Sequence, residues 1–406
     1  MPEVSQQSAV KRTAETQRSW KGAAVWGGGF RPLFLAAALW AVIAIAIWDL
    51  CFSGEISVPT AFSPVDWHIH EMIYGYGSAV VAGFLLTAIP NWTGRLPVAG
   101  RPLALICMLW ALGRCAVYTS AIIGPATAAA GDALFLIVFA GIVGREVIAA
   151  RSVRNLKVII LVLVLAIANA GFHIEAATTG TAPISARLGL ATLVFLILLI
   201  GGRIVPSFTH NWLAKRGTAA RPVSFGRPDG LIMILSGVAL ILWVAFPGLP
   251  AVGAVLVAAG AANLWRLSRW QGWNTRSDRL LLILHAGFFF AGLGFVVTGA
   301  ASLLPDLVPT AAGVHVWAIG AIGTMTLAMM TRTTLGHTGR ELRASVGTQV
   351  IYFAIIVAMG ARIAMALTPA FAPAFMHAAA FAWIIAFLGF VALYGPMLMR
   401  PRAGAK

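Results

Sequence analysis

Charge is what this sequence has least of. Only 10% of its 406 residues are Asp, Glu, Lys or Arg, and just 13 are acidic, whereas soluble domains carry roughly 25% charged residues. A chain that is 60% hydrophobic cannot cover a water-facing surface with so few charges, so a soluble globular enzyme is excluded and the solvent for most of the chain is lipid. Cysteine is scarce too. Cys51, Cys107 and Cys115 form an odd set without the C-x-x-C-H arrangement, which excludes a covalently attached c-type haem, and they read as small core residues. No low-complexity linker or soluble domain interrupts the chain, no internal repeat is evident, and the first 30 residues lack the short apolar core of a cleavable signal peptide.

What is present in quantity is glycine, tryptophan and apolar sequence. Forty-two glycines and fourteen tryptophans suit a membrane bundle, because Gly lets membrane helices pack closely and Trp gathers at the bilayer interfaces. A helix needs about 20 apolar residues to cross the hydrocarbon core. Such runs lie near 32–52, 68–90, 102–121, 128–149, 156–178, 184–206, 228–246, 249–270, 279–303, 311–333, 346–367 and 374–399. The fold class predicted is therefore all-α: a polytopic membrane bundle of about twelve transmembrane helices. It divides into a basic tail at 1–30, a single transmembrane domain at 31–400 and a short tail at 401–406. Pro90 and Pro206 are expected to end their helices.

The formal net charge of +16 would suit a nucleic-acid partner only if it were gathered in a folded basic domain. There is none, so nucleic acid is excluded. The excess has a topological cause instead, since cytoplasmic loops are enriched in Lys and Arg. Every second loop is basic: Arg95 and Arg101; Arg151, Arg154 and Lys157; Lys215, Arg216 and Arg221; Arg266, Arg269 and Arg276; Arg340 and Arg343. With Lys11, Arg12, Arg18, Lys21 and Arg31 at one end and Arg400, Arg402 and Lys406 at the other, both termini are expected in the cytoplasm, which makes this a multi-pass protein of the bacterial inner membrane.

Ionisable side chains at membrane depth are expensive, so each is a functional hypothesis. The topology sorts the eight histidines into two groups. His68, His70, His173, His315 and His377 fall near the outer ends of helices two, five, ten and twelve, and His210, His285 and His337 lie toward the cytoplasmic side. Most of the roughly 30 Å hydrocarbon thickness separates the groups, so they cannot share one mononuclear site. Imidazoles converging from several helices are how a bundle builds a haem or copper centre. If both are helical, His68 and His70, two residues apart, point about 200° apart and cannot face one ligand, so either they serve different metals or one lies in the preceding loop. Glu71, which follows them in WHIHEMIYGYG, is suited either to orienting an imidazole and accepting a proton or to the first turn of a helix. Arg114 and Arg362, well inside the outer leaflet, need anionic partners, for which Asp132, Glu175 or a haem propionate would serve. Arg203 and Arg332 read as snorkelling to the inner interface.

Three long strings carry a family resemblance: WHIHEMIYGYGSAVVAGFLLTAIPNWTG at 67–94, GGRIVPSFTHN at 201–211 and HVWAIGAIGTMTLAMMTRTTLGHTGR at 315–340. In their order and length they closely resemble the NnrS family over essentially the whole chain. The resemblance implies a twelve-helix membrane protein containing haem b and copper, associated with denitrification and nitric oxide resistance. By matching position it implies that His68, His70, Glu71, His173, Arg203, His285, His315, Arg332, His337 and Arg340 belong to the family pattern; His210 and His377 are set aside.

The function expected is nitric oxide binding and reduction by an oxidoreductase of the nitric oxide reductase type, drawing electrons from a quinol or a soluble donor. Its metal would be held by His68, His70, His173 and His315. Haem would be served by His173, His315, His285 and His337 with Arg114 and Arg362, and Glu71 and Glu175 would relay protons. The alternatives are a non-catalytic nitric-oxide-binding or protective metalloprotein, and a transporter of a metal or metal complex, against which continuous, unbroken helices would argue.

Overall fold

A computed structural model describes residues 20–404, so Lys11, Arg12 and Arg18 of the expected basic tail, and Lys406 at the other end, lie outside the described residues. Twelve helices among those residues are long and apolar enough to cross a membrane. They are α1 Phe30–Phe52, α2 Pro64–Thr93, α3 Arg101–Tyr118, α4 Pro125–Ala149, α5 Leu156–Thr179, α6 Pro183–Lys215, α7 Arg227–Ala245, α8 Pro250–Ser268, α9 Arg279–Leu303, α10 Thr310–His337, α11 Val346–Leu367 and α12 Pro369–Met399. The chain is a multi-pass, all-helical membrane protein.

Local chemistry sets the helix ends. Proline opens α2, α4, α6, α8 and α12, where its missing N–H costs nothing and its fixed φ favours helix. Ser63 caps α2 by accepting the Asp66 N–H at 3.1 Å, and Asp278 caps α9 by accepting from Leu280 and Leu281. Pro90 and Pro206 do not end their helices. Both lie inside, and α6 continues nine residues beyond Pro206 to Lys215. Hydropathy marks only the part of a helix that crosses hydrocarbon, whereas the backbone stays helical through the polar interface until something stops it. After α2 and α10 that stop is a glycine in the left-handed region, Gly94 at φ 73° and Gly339 at φ 76°, a conformation open to Gly because it has no Cβ.

Three helices are not continuous α-helix. A π-helical segment interrupts α2 at Glu71–Gly77, α6 at Ile197–Gly201 and α10 at Val316–Gly323. Each inserted π turn rotates the face that the following residues present, and such turns concentrate at functional sites. At the end of the first, the Ser78 hydroxyl donates back to the Tyr74 carbonyl, satisfying backbone that the wider turn leaves open.

The chain forms two compact units. Unit 1 contains α1 to α5, α6 as far as Gly189, Thr333–Glu341 and the stretch from Phe390 onward; unit 2 contains Leu190–Arg332 and Leu342–Gly389. In unit 1, α2 packs on α1 and α4, α3 on α4, and α4 on α5. In unit 2, glycines bring α8 against α9: a Cβ on Gly253 would lie 2.7 Å from the Gly299 carbonyl, and one on Gly260 2.8 Å from that of Gly292. Small residues at such spacing bring helix backbones together where lipid offers no hydrophobic drive. The cysteines are not core residues. Cys115 is exposed and Cys51 and Cys107 are half-buried, because lipid accepts a small apolar thiol on the outside of a bundle as readily as protein does inside.

Candidate metal centre

The outer histidines divide when their side chains are followed. His70, on the last turn before the π segment of α2, meets Asp132 from α4 and His173 from α5, and one ligand atom from each lies within 4.8 Å of the other two. Nε2 of His70 is 3.2 Å and Nε2 of His173 is 3.0 Å from the same Asp132 oxygen, Oδ2. A tetrahedral ion with bonds of about 2.0–2.1 Å sets its ligand atoms roughly 3.3 Å apart, so the spacing is already close to that of a coordination sphere. Two imidazoles and a carboxylate are a donor set for copper, zinc or non-haem iron.

Around these three, other side chains hold the ligands in place. The Nδ1 of His70 lies 3.0 Å from Glu71 Oε1, and Asn169 Oδ1 is 2.9 Å from its Nε2. Arg114 Nη1 donates to both Glu71 oxygens at 2.7 Å, and its Nη2 pairs with Asp132 Oδ1. Trp40 Nε1 donates to Glu71 Oε2 at 2.7 Å. Gly75 makes room for this network: a Cβ there would lie 2.8 Å from Glu71 Oε2 and from Trp40 Nε1, and 2.9 Å from Arg114 Nη1.

Charge balance gives the cluster its chemistry. Glu71 and Asp132 are 0% and 1% exposed in their side chains, and Arg114, at 4%, is the one fixed cation among the described residues that pairs with them. Two buried carboxylates against one guanidinium leave a negative charge that a bound cation or an imidazolium must neutralise. The proton inventory agrees. With its Nδ1–H directed to Glu71, His70 presents a lone pair on Nε2 toward the Asp132 carboxylate, a repulsive arrangement that an ion or a second proton between them resolves.

The same packing decides which cofactor fits. Rings of Phe62, Tyr74, Phe172 and His173 surround the His70 imidazole at centroid distances of 5.1–5.2 Å, and Phe62 also lies 5.1 Å from His173. The space between the nitrogens takes a single ion. A haem macrocycle does not fit there, because aromatic side chains already occupy the ring faces.

The remaining expected site residues lie elsewhere. His68 is stacked on Trp48 at 4.6 Å and is not a member of the cluster, as the 200° rotation from His70 requires. Glu175 accepts the backbone N–H groups of Ile184 at 2.9 Å and Ser185 at 2.8 Å, which caps the start of α6. In unit 2, His315 directs Nδ1 to the Ala311 carbonyl at 2.8 Å, and Arg362 on α11 is half-buried. His285 shares a 2.9 Å hydrogen bond with Thr209, and Gly272 packs directly on its ring. His337 packs on Phe30 at 5.3 Å. Arg332 is half-buried, its guanidinium 4.4 Å over Phe208 and its Nη1 buried.

Sequence reasoning offered Asp132 as one of three anionic partners for Arg114 and Arg362 but missed it as a ligand, and it missed Asn169 and Trp40 altogether. The available signal was a carboxylate inside an apolar helix, which marks a site whatever its partner. A family profile described as NnrS protein matches residues 24–402. No curated protein and no solved structure matches the chain. From the profile's coverage of nearly its whole length, the chain belongs to the NnrS family.

Proposed function

We propose that this is a copper-binding membrane protein of nitric oxide metabolism, in which His70, Asp132 and His173 hold the ion and nitric oxide arriving through the lipid is bound and reduced. The observation that carries the reading is a cluster that presents two imidazoles and a carboxylate to one point, beside two buried carboxylates paired with a single guanidinium. Copper, when bound, supplies a redox-active Lewis acid there. Copper is preferred to zinc because the family resemblance implies a redox centre.

The protein's own groups do the rest. Glu71 fixes the His70 tautomer so that Nε2 is the ligand atom, the arrangement by which carboxylates orient metal-bound imidazoles. Arg114 holds one Asp132 oxygen and leaves the other for the ion. Phe62, Tyr74 and Phe172 close the site against water while admitting a small apolar gas. In this reading both termini are cytoplasmic in a bacterial inner membrane and the cluster lies in its outer half, which the alternation of basic loops supports. The residue that would hold a haem b is His315, whose Nε2 is left over when Nδ1 bonds Ala311. Electrons would come from a quinol or a soluble carrier.

One observation favours a second reading, reversible binding of nitric oxide without turnover. Glu71 is committed to Arg114, Trp40 and His70, and Glu175 is committed to the α6 backbone, so neither carboxylate is free to relay protons. The experiment is copper analysis and electron paramagnetic resonance on detergent-purified protein, wild type beside His70→Ala, Asp132→Asn and His173→Ala, followed by nitric oxide consumption with and without added quinol. Copper bound by the wild type and lost in all three variants is expected. Copper absent from the wild type, or retained by the variants, sinks the assignment. Quinol-dependent consumption selects reduction, and stoichiometric uptake that stops selects reversible binding.

A further inference from the structure

Asn169 stands closer to the inward nitrogen of His70 than the carboxylate of Asp132 does. Its Oδ1 is 2.9 Å from His70 Nε2, against 3.2 Å for Asp132 Oδ2. The side chain lies inside the apolar span α5 and is 1% exposed. A buried amide at membrane depth is expensive unless its polar atoms are used. Among the described residues the contact with His70 is the one hydrogen bond that the Asn169 side chain makes.

Spacing along α5 adds to this. Asn169 and His173, in the string NAGFH, are four residues apart and share one face of the helix, as the two histidines of a helix-borne H-E-x-x-H zinc site do. Helix α5 therefore offers two donors to the centre while α2 and α4 offer one each. The atoms follow one another at 2.9 Å from Asn169 Oδ1 to His70 Nε2, 3.2 Å from there to Asp132 Oδ2, and 3.0 Å from that oxygen to His173 Nε2. All three steps are close to the roughly 3.3 Å edge of a tetrahedral sphere.

The donor and acceptor pattern points the same way. With Nδ1–H given to Glu71, Nε2 of His70 is a lone pair, and it faces two oxygens that are themselves acceptors. A single proton on Nε2 serves one of these oxygens well; a cation serves all three atoms.

We propose that Asn169 is the fourth ligand of the ion held by His70, Asp132 and His173, and that it binds through Oδ1. The inference rests on the metal reading of this cluster. It also distinguishes Asn169 from two of its companions: Glu71 stands behind His70 and Arg114 behind Asp132, whereas Asn169 is neutral and has no second partner. A neutral oxygen held in this way is the donor that an incoming small molecule displaces most easily. The opposite orientation of the amide, with Nδ2–H on Nε2, would instead occupy the lone pair of His70 and compete with the ion.

The two orientations predict opposite signs. Full-length protein in detergent is compared as wild type, Asn169→Leu, which keeps the volume without a donor, and Asn169→Asp, which keeps an oxygen. Copper and zinc affinities are each measured by competition with a chelator. Asn169→Leu should bind either ion about tenfold or more weakly, since removing even a partner behind a ligand costs about 10- to 100-fold, and Asn169→Asp should bind at least as tightly as wild type. Pulsed electron paramagnetic resonance on copper-loaded wild type, grown with asparagine isotopically labelled at the side-chain carbonyl carbon, should show a hyperfine coupling to that carbon. This measurement needs no variant, so it decides the matter if Asn169→Leu does not fold. Affinity in Asn169→Leu equal to or above that of wild type, or no carbon coupling at copper saturation, overturns the proposal while leaving the three-ligand site intact. Wild type that binds zinc but not copper removes the copper reading and leaves Asn169 to be judged on the zinc affinities; wild type that binds neither overturns both.

Discussion

The Nδ1 of His70 lies 3.0 Å from the Oε1 of Glu71, its immediate neighbour in the chain. Consecutive side chains on an α-helix diverge by about 100°, so this contact is unusual, and it occurs where the π segment begins. Its effect is to commit one imidazole nitrogen and direct the other at Asp132. Glu71→Gln keeps the shape but replaces the charged acceptor with an amide. Loss of a carboxylate behind a metal-bound histidine typically costs about 10- to 100-fold in metal affinity. Copper competition against a chelator of known affinity should show that weakening, with the ion still bound at saturation; unchanged affinity would remove Glu71 from the metal's environment.

Arg114 neutralises Glu71 and Asp132 together. Removing one partner of a buried pair leaves an uncompensated charge, at a cost of about 3–5 kcal/mol. Arg114→Ala should therefore lower the melting temperature of the metal-free protein sharply, and Arg114→Lys should recover only part of it, since an ammonium cannot hold both carboxylates in the fork geometry of a guanidinium. Added copper should stabilise Arg114→Ala more than wild type in differential scanning, because the ion supplies the missing positive charge. An equal gain in the two proteins would show that the carboxylates and the ion do not share one site.

Gly75 tests the packing of the site apart from its charges. A methyl group there would lie within 2.8–2.9 Å of Glu71, Trp40 and Arg114, so the three must separate. Overpacking of this kind costs roughly 1–3 kcal/mol. Gly75→Ala should fold with a reduced melting temperature and bind copper less tightly than wild type, although no ligand has been changed. Wild-type copper affinity in Gly75→Ala would mean that the network does not position the ligands.

The legible and illegible parts of this molecule divide along a physical line. The bilayer imposes a length and a polarity on every span, so all twelve helices could be read from runs of apolar residues, while the prolines at 64, 125, 183 and 250 that open several of them went unread. Lateral neighbours leave no such trace. His70, Asp132 and His173 come from three helices, and nothing in a hydropathy profile says which faces of α2, α4 and α5 meet. The rotation argument did separate His68 from His70, because helix geometry within one span is local. The π segments were invisible for the opposite reason: an extra residue per turn leaves composition unchanged, yet it places Glu71 beside His70. His315, assigned to the same metal by depth, is not a member of the His70 cluster and bonds its own helix, since depth in a membrane does not say which side chains meet.

Glu175 separates a catalytic from a structural reading of the outer carboxylates. Its two oxygens accept the N–H groups of Ile184 and Ser185 at the start of α6, where a helix has donors with no intrahelical partner. Capping bonds of this type are worth about 0.5–2 kcal/mol. Glu175→Gln retains one acceptor oxygen and should lose part of this, whereas Glu175→Ala should lose most of it, giving a graded fall in melting temperature. Copper content and the rate of nitric oxide consumption should stay within about twofold of wild type in both, because neither oxygen reaches the His70 cluster. A carboxylate that relayed protons would behave in the reverse way: both substitutions would abolish consumption alike while leaving stability nearly intact. Melting curves and nitric oxide electrode traces on the same two preparations therefore decide between capping and catalysis at this residue.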